Sequence, residues 1–297
     1  MKKFFLIIAA ALSFASANVL AQNSNNNGGD VRYIKSPRFV RPLVEKWIEE
    51  YAKTEPGVTF QIAKGASADA ALNVVVDGQS DEANTVYFGK TAVLPITARG
   101  SEADRLLGGK YLSSRKLKQV FFVSDEEDDE RPSKQFESLV VYSGSNATSA
   151  ANAFARNLGE EASSFRGKRI AGDDLFLNTA IAKDAYGVSF NTLSNIFDLN
   201  SRRVKKELSL VGLDVKREVA DDFGNEGSLD NVLAALESGR VGGIAVERVG
   251  IAYENGDVAV LKFLQWVLTQ GTQFNHAFGL LNPDNAEDGA RQLTAQK

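Results

Sequence analysis

The chain of 297 residues has no cysteine, one histidine and one methionine. Without cysteine there is no disulfide framework, no thiolate metal site, no iron–sulfur cluster and no cysteine nucleophile. A single histidine, His276, excludes a histidine pair for a transition metal and leaves one candidate base for a serine–histidine arrangement. No run approaches the ~18 apolar residues of a transmembrane helix, so no stable membrane insertion is expected. A basic surplus is missing too: Lys+Arg 34 against Asp+Glu 38 gives a net charge of −4. That balance suits nucleic acid poorly. No Gly-x-x-x-x-Gly-Lys-Ser/Thr run occurs, so phosphate-loop nucleotide hydrolysis has no support, and no cofactor is implied. What remains is ordinary globular composition, 24% charged and 43% hydrophobic, long enough for one large domain or two ordinary ones.

The first residues form a separate unit. Met1-Lys2-Lys3 is positive, Phe4 to Leu12 is apolar, and Val19-Leu20-Ala21 places small or modest residues at the −3 and −1 positions of a cleavage site. This is the three-part pattern of a secretory signal. No cysteine follows it, which excludes a lipid-anchored form. Cleavage is expected after Ala21, with a periplasmic location and a flexible polar leader over 22–30. Loss of Lys2 and Lys3 takes Lys+Arg from 34 to 32 against an unchanged 38, a net charge of −6.

Downstream, Val31–Ile34 reads as a strand, and Phe39, Leu43, Trp47, Ile48 and Tyr51 recur at helical spacing up to the breaker Glu55-Pro56-Gly57. Val58–Ile62 follows as a strand, which predicts a right-handed βαβ unit with parallel strands. Gly65 to Ala70 reads as a second strand end opening a helix. Val86–Gly89 and Ala92–Ile96 read as strands, and 101–107 and 113–122 as helices. The acidic run 125–130 reads as a solvated loop, since it lacks the alternating ligands and central glycine of a calcium loop. A third unit runs from a strand at 138–142 through a loop at 143–149 to a helix from Ala150 to Leu158. In a fourth, Asp173 or Asp174 caps a helix reaching Lys183. Ser189 to Phe197 reads as a short helix and 200–227 as hairpin-rich. Ser228 caps a helix to Ser238, Gly242–Val246 is a late strand, and Asp257 to Thr269 is a largely buried helix.

Four strands thus end in small or hydroxyl-bearing loops that open helices, at Ser36, at Ala66 and Ser67, at Ser145, Thr148 and Ser149, and at Gly172 to Asp174. The first turn of a helix carries unpaired N–H groups and a partial positive charge. It therefore accepts an oxyanion without any lysine. Serine, threonine and aspartate are also common caps for structural reasons alone. The candidate ligand-binding residues are Ser36, Ala66, Ser67, Ser145, Thr148, Ser149, Asp173 and Asp174. His276 reads as a structural hydrogen bonder. No acidic pair stands out as a dyad, so the chain is not expected to be an enzyme.

The arrangement resembles the substrate-binding proteins of bacterial phosphate ABC transporters. Ile34-Lys35-Ser36-Pro37-Arg38-Phe39-Val40-Arg41-Pro42-Leu43, followed by Trp47, Tyr51 and Pro56-Gly57-Val58, is similar to that family's first strand, serine loop and helix. Thr148-Ser149-Ala150 followed by Phe154 resembles its Ser-Gly-Thr loop. Phe263 to Gly271, then Gly279-Leu280-Leu281, resembles its closing helix and strand. The likeness covers roughly 31–285. It implies an α/β chain with the two-lobed type II periplasmic binding fold, each lobe a mixed sheet flanked by helices. Lobe one would be 31–95 plus 245–297 and lobe two 96–244, with crossovers at Leu94-Pro95 and Ile244–Val246. It also implies a monomer that captures an oxyanion, inorganic phosphate first among them, for an ABC permease. The departures are specific. Gly144 stands where the family carries an arginine, Ser149 and Ala150 replace the glycine and threonine of its loop, and Ala66-Ser67-Ala68 replaces a glycine-rich loop. These changes also admit a repurposed module, such as an envelope adaptor or another small-ligand binder, that keeps the fold and has lost phosphate.

Overall fold

The computed structural model describes residues 31–65, 69–76, 84–123, 134–146, 149–254, 256–284 and 293. The expected signal segment and leader, the acidic run 125–130, and Ala66, Ser67 and Thr148 lie outside them.

The chain opens with β1 (Val31–Lys35), α1 (Arg41–Thr54) and β2 (Thr59–Ile62). β1 and β2 pair in parallel, as the short crossover dictates. α1 buries Leu43, Trp47 and Tyr51 of the expected stripe together with Val44, while Ile48 is half-buried and Phe39 precedes the helix. Then come β3 (Leu72–Val76), the 14-residue β4 (Thr85–Ala98), α2 (Glu102–Leu107) and α3 (Ser114–Phe121). Serines 101 and 113 cap the two helices through their hydroxyls. β5 (Val140–Gly144), α4 (Ala150–Asn157), β6 (Lys168–Ile170), α5 (Leu175–Ala182), β7 (Gly187–Thr192) and the single-turn α6 (Leu193–Ile196) follow. The remainder comprises a small hairpin of β8 (Phe197–Asp198) and β9 (Arg203–Val204), β10 (Leu208–Leu210), α7 (Arg217–Ala220), α8 (Leu229–Glu237), β11 (Ala245–Tyr253) and α9 (Val258–Thr269).

The main sheet has the order β2-β1-β3-β11-β4-β7-β5-β6, with β10 pairing antiparallel to β4. β4 and β11 run antiparallel through its middle and belong to both halves of the molecule. On β4 the core residues change from one hydrophobic cluster to the other between Phe88 and Ala92, and on β11 between Ala245 and Val249. The first cluster packs Trp47, Tyr51, Phe60, Phe263 and Trp266. Trp47 meets Phe88 edge-on at 4.7 Å and donates from Nε1 to the Gly271 carbonyl at 2.8 Å. The second is phenylalanine-rich, with Phe154 and Phe190 stacked at 4.6 Å.

Several sequence expectations give way: the strands expected at Val86–Gly89 and Ala92–Ile96 are the single strand β4, and the late strand expected at Gly242–Val246 is Ala245–Tyr253. Gly187–Thr192 is a strand, not the start of a helix over 189–197. Every one of its residues is buried because it lies mid-sheet between β4 and β5, and only Leu193–Ile196 is helical. After Gly65 the next described element is β3, whose β-branched run Val74-Val75-Val76 pairs with β11. Other expectations match: Asp257 caps α9 through Oδ1, and Ser228 caps α8.

Candidate functional site

A cleft of about 290 Å³ opens between the two halves, lined by Ser36, Pro37, Arg38, Phe39 and Arg41 on one side. On the other side stand Asn146, Ser149, Gly172, Asp173, Asp174 and Asn195. Three of the four expected loops therefore meet at one gap, and the fourth, at Ala66 and Ser67, lies outside the described residues. Ser145 is not part of the lining. Its amide and hydroxyl both donate to the Ile170 carbonyl, which pins the β5 end to β6.

The β1–α1 wall is donor-rich. The turn before α1 is tight, with Val40 and Arg41 amides both donating to the Pro37 carbonyl at 3.3 and 3.0 Å. Pro42 contributes no N–H at the second helical position, so the free donors are those of the turn itself. Among the described residues, no partner takes the backbone N–H of Ser36, Arg38 or Phe39. Ser36 is buried, with its hydroxyl donating to the Pro37 carbonyl at 3.1 Å. Neither Arg38 nor Arg41 has a side-chain hydrogen bond or ion pair among the described residues, and Arg41 Nε is buried without a partner. Arg38 and Arg41, with Lys35, are the residues the sequence offers in place of the arginine whose position Gly144 takes, and the structure sets the two arginines in the lining beside Ser36.

The opposite wall is closed by the protein's own carboxylates. Ser149 Oγ donates to Asp174 Oδ1 at 2.7 Å, and the Ala150 amide donates to Asp174 Oδ2 at 2.6 Å. The Ala151 amide donates to Ser149 Oγ at 3.2 Å. The N-terminus of α4 thus holds an anion already, and that anion is Asp174. Asp173 does the same for α5, with Oδ1 accepting from the Leu175 amide at 2.9 Å. Asn146 ties the two loops together by donating to the Gly172 carbonyl at 2.5 Å.

Burial raises the Asp174 carboxyl above its ordinary value; the Ala150 amide and Ser149 hydroxyl oppose this, and the neighbouring Asp173 charge adds to it. Asp174 is held from beneath by buried amides. Asn191 donates to the Asp174 carbonyl at 2.8 Å and to Asn178 Oδ1 at 2.9 Å, while Asn195 donates to Asn191 Oδ1 at 2.9 Å. Lys205 ends this chain by donating to the Asn195 carbonyl at 2.8 Å, and burial lowers its ammonium pKa.

Gly144 explains why this loop carries no arginine. A β-carbon there would lie 2.2 Å from Ser149 Oγ and 2.5 Å from Asp174 Oδ1. The space a side chain would need belongs to the Asp174–Ser149 bond. Gly144→Ala is expected to lose about 1–3 kcal/mol of stability, the usual cost of overpacking, measured by urea denaturation. Unchanged stability would mean that the Asp174 loop is free to swing away.

His276 lies elsewhere. Its Nε2 is 2.8 Å from Glu237 Oε1 and 3.0 Å from Asn282 Nδ2. Among the described residues, no loop serine is a partner of His276; Ser67 lies outside them. No group of three or more His, Asp or Glu among the described residues is placed to hold a metal ion.

No protein-family model matches the sequence, and no curated protein matches it. Solved structures do. A phosphate ABC transporter substrate-binding protein from Clostridium perfringens, with bound phosphate, superposes at a TM-score of 0.60 with 15% identity, over 86% of this chain and 100% of that one. An ABC-type phosphate transport receptor from Vibrio cholerae gives 0.55 and 11%, over 86% and 100%. The CcmR regulatory domain from Synechocystis PCC6803, in complex with 2-PG, gives 0.50 and 13%, over 80% and 95%. At these identities the likeness establishes the architecture: two α/β lobes around crossover strands, the type II periplasmic binding fold.

Proposed function

We propose that this chain, built on the type II periplasmic binding fold, is an exported solute-binding protein that takes a small oxyanion of the phosphate class into the cleft between its lobes. In this reading it acts as a periplasmic monomer and delivers the ion to an ABC permease. Lobe one would comprise 31–95 with 245–297, and lobe two 96–244. The β1–α1 wall carries the reading. Amides of Ser36, Arg38 and Phe39 that have no partner among the described residues, beside two guanidiniums likewise unpartnered there, form a donor cluster that suits a tetrahedral anion. The architecture it shares with binding proteins, and a histidine engaged by Glu237 and Asn282, favour capture over catalysis. No helix among the described residues is long and apolar enough to cross a membrane.

Titration calorimetry and thermal unfolding on ligand-stripped protein with phosphate, sulfate and molybdate test it. Saturable binding of at least one is expected, with about 2.7 kcal/mol of added stability at a ligand concentration 100-fold above Kd. Silence with all three would end the proposal in favour of a second reading, a repurposed module with the same fold and no phosphate binding. That reading draws on one observation, the Asp174 carboxylate seated on the α4 amides where a guest's oxygen would otherwise go.

A further inference from the structure

The two walls of the cleft carry opposite charge. Arg38 and Arg41 stand on the β1–α1 side, and Asp173 and Asp174 on the other. None of the four has an ion-pair partner among the described residues. An inorganic anion answers this surface unevenly: it satisfies the guanidiniums and free amides, but sulfate brings no donor to the facing carboxylates and hydrogen phosphate brings only its P–OH, with no positive charge to offset theirs. A guest bearing a cationic head as well would satisfy both walls. At about 290 Å³ the cleft sits at the small end of ligand pockets, which limits such a guest to a compact molecule. Phe39 supplies apolar lining beside these charges.

We infer that the cleft selects a small zwitterion, a phosphonate or phosphomonoester joined by a short carbon chain to a primary ammonium. The phosphoryl group lies against Arg38, Arg41 and the turn amides. The ammonium lies against Asp173 and Asp174, with the Asn146 and Asn195 carboxamides within the same wall. This deepens the oxyanion reading and rests on it. Asp174 keeps its bonds from Ser149 and Ala150 in this arrangement, because a carboxylate oxygen has lone-pair capacity for a further donor.

Three probes separate the possibilities by calorimetry at fixed pH and ionic strength: 2-aminoethylphosphonate, ethylphosphonate and inorganic phosphate. The amine-bearing probe is expected to bind about tenfold or more tightly than ethylphosphonate, the worth of one charge-assisted hydrogen bond. Asp173→Asn keeps an oxygen for the Leu175 amide and removes the charge. It is expected to weaken 2-aminoethylphosphonate, strengthen ethylphosphonate and so close the gap between them. Equal or tighter binding of phosphate and ethylphosphonate overturns the zwitterion inference and leaves the oxyanion reading standing. Failure of all three probes overturns the zwitterion inference, and the oxyanion reading is then decided by sulfate and molybdate.

Discussion

Asp174→Ala is expected to tighten inorganic phosphate binding about a hundredfold. The carboxylate sits on the α4 amide and the Ser149 hydroxyl that an incoming oxyanion would use, and it faces that anion with a like charge. At roughly 5 Å and an effective dielectric constant of about 20, one such repulsion amounts to about 3 kcal/mol, or roughly two decades of affinity. Its loss also frees two donors at a helix N-terminus. The wild-type protein carries a pH signature of the same interaction. Because the folded-state pKa of Asp174 is raised, the carboxyl takes up its proton in the cleft at a higher pH than a free aspartate. The folded state then binds more protons than the unfolded one between the two values, so this group's contribution to stability falls as pH rises through that window. Sulfate, a dianion throughout, should bind more tightly as pH falls through the same window, and Asp174→Ala should abolish that dependence. Phosphate binding that is weaker in Asp174→Ala at neutral pH would mean that the carboxylate receives a hydrogen bond from the guest and helps to hold it.

The second large effect lies on the facing wall. Replacing Arg38 and Arg41 together by alanine should cost anion affinity two to four decades, taking about 1.5–3 kcal/mol for the charge-assisted hydrogen bonding of each guanidinium. The fold should be little affected. Arg38 is exposed and Arg41 Nε is buried without a partner, so their removal breaks no side-chain bond found among the described residues. Calorimetry with the best-bound anion, beside urea denaturation of the same variant, reads both quantities. The double lysine variant keeps the charges and loses the planar fork, and should recover only part of the affinity. If the alanine pair binds as the wild type does, the guanidiniums serve another surface and the donor wall is not the site.

Much of this architecture is written locally. Asp257 and Ser228 announce their helices because a cap bonds to amides two or three residues away. The stripe from Leu43 to Tyr51 and the parallel β1–β2 pair follow from periodicity and a short crossover. Gly187–Thr192 misled because a strand buried on both faces loses the alternation that would identify it. The site divides along the same line. Ser36, Ser149, Asp173 and Asp174 stand out in the sequence as loop residues preceding helices, and the fold brings them to one gap. That Asp174 caps α4, a helix beginning 24 residues before it, is a tertiary fact. So is the reason Gly144 has no side chain, since the colliding atoms belong to Ser149 and Asp174. Asn195 entered the lining through hydrogen bonds with Asn191 and Asn178 that no linear motif displays.

Both tryptophans, Trp47 and Trp266, lie in the half formed around β1 and α9, whereas the phenylalanine-rich half has none. Indole emission therefore watches one side of the molecule only. A chain whose Phe154–Phe190 half melts first would keep native fluorescence while its far-ultraviolet dichroism falls. Disagreement between the two signals on heating would measure how firmly two shared strands couple the halves, with no label introduced.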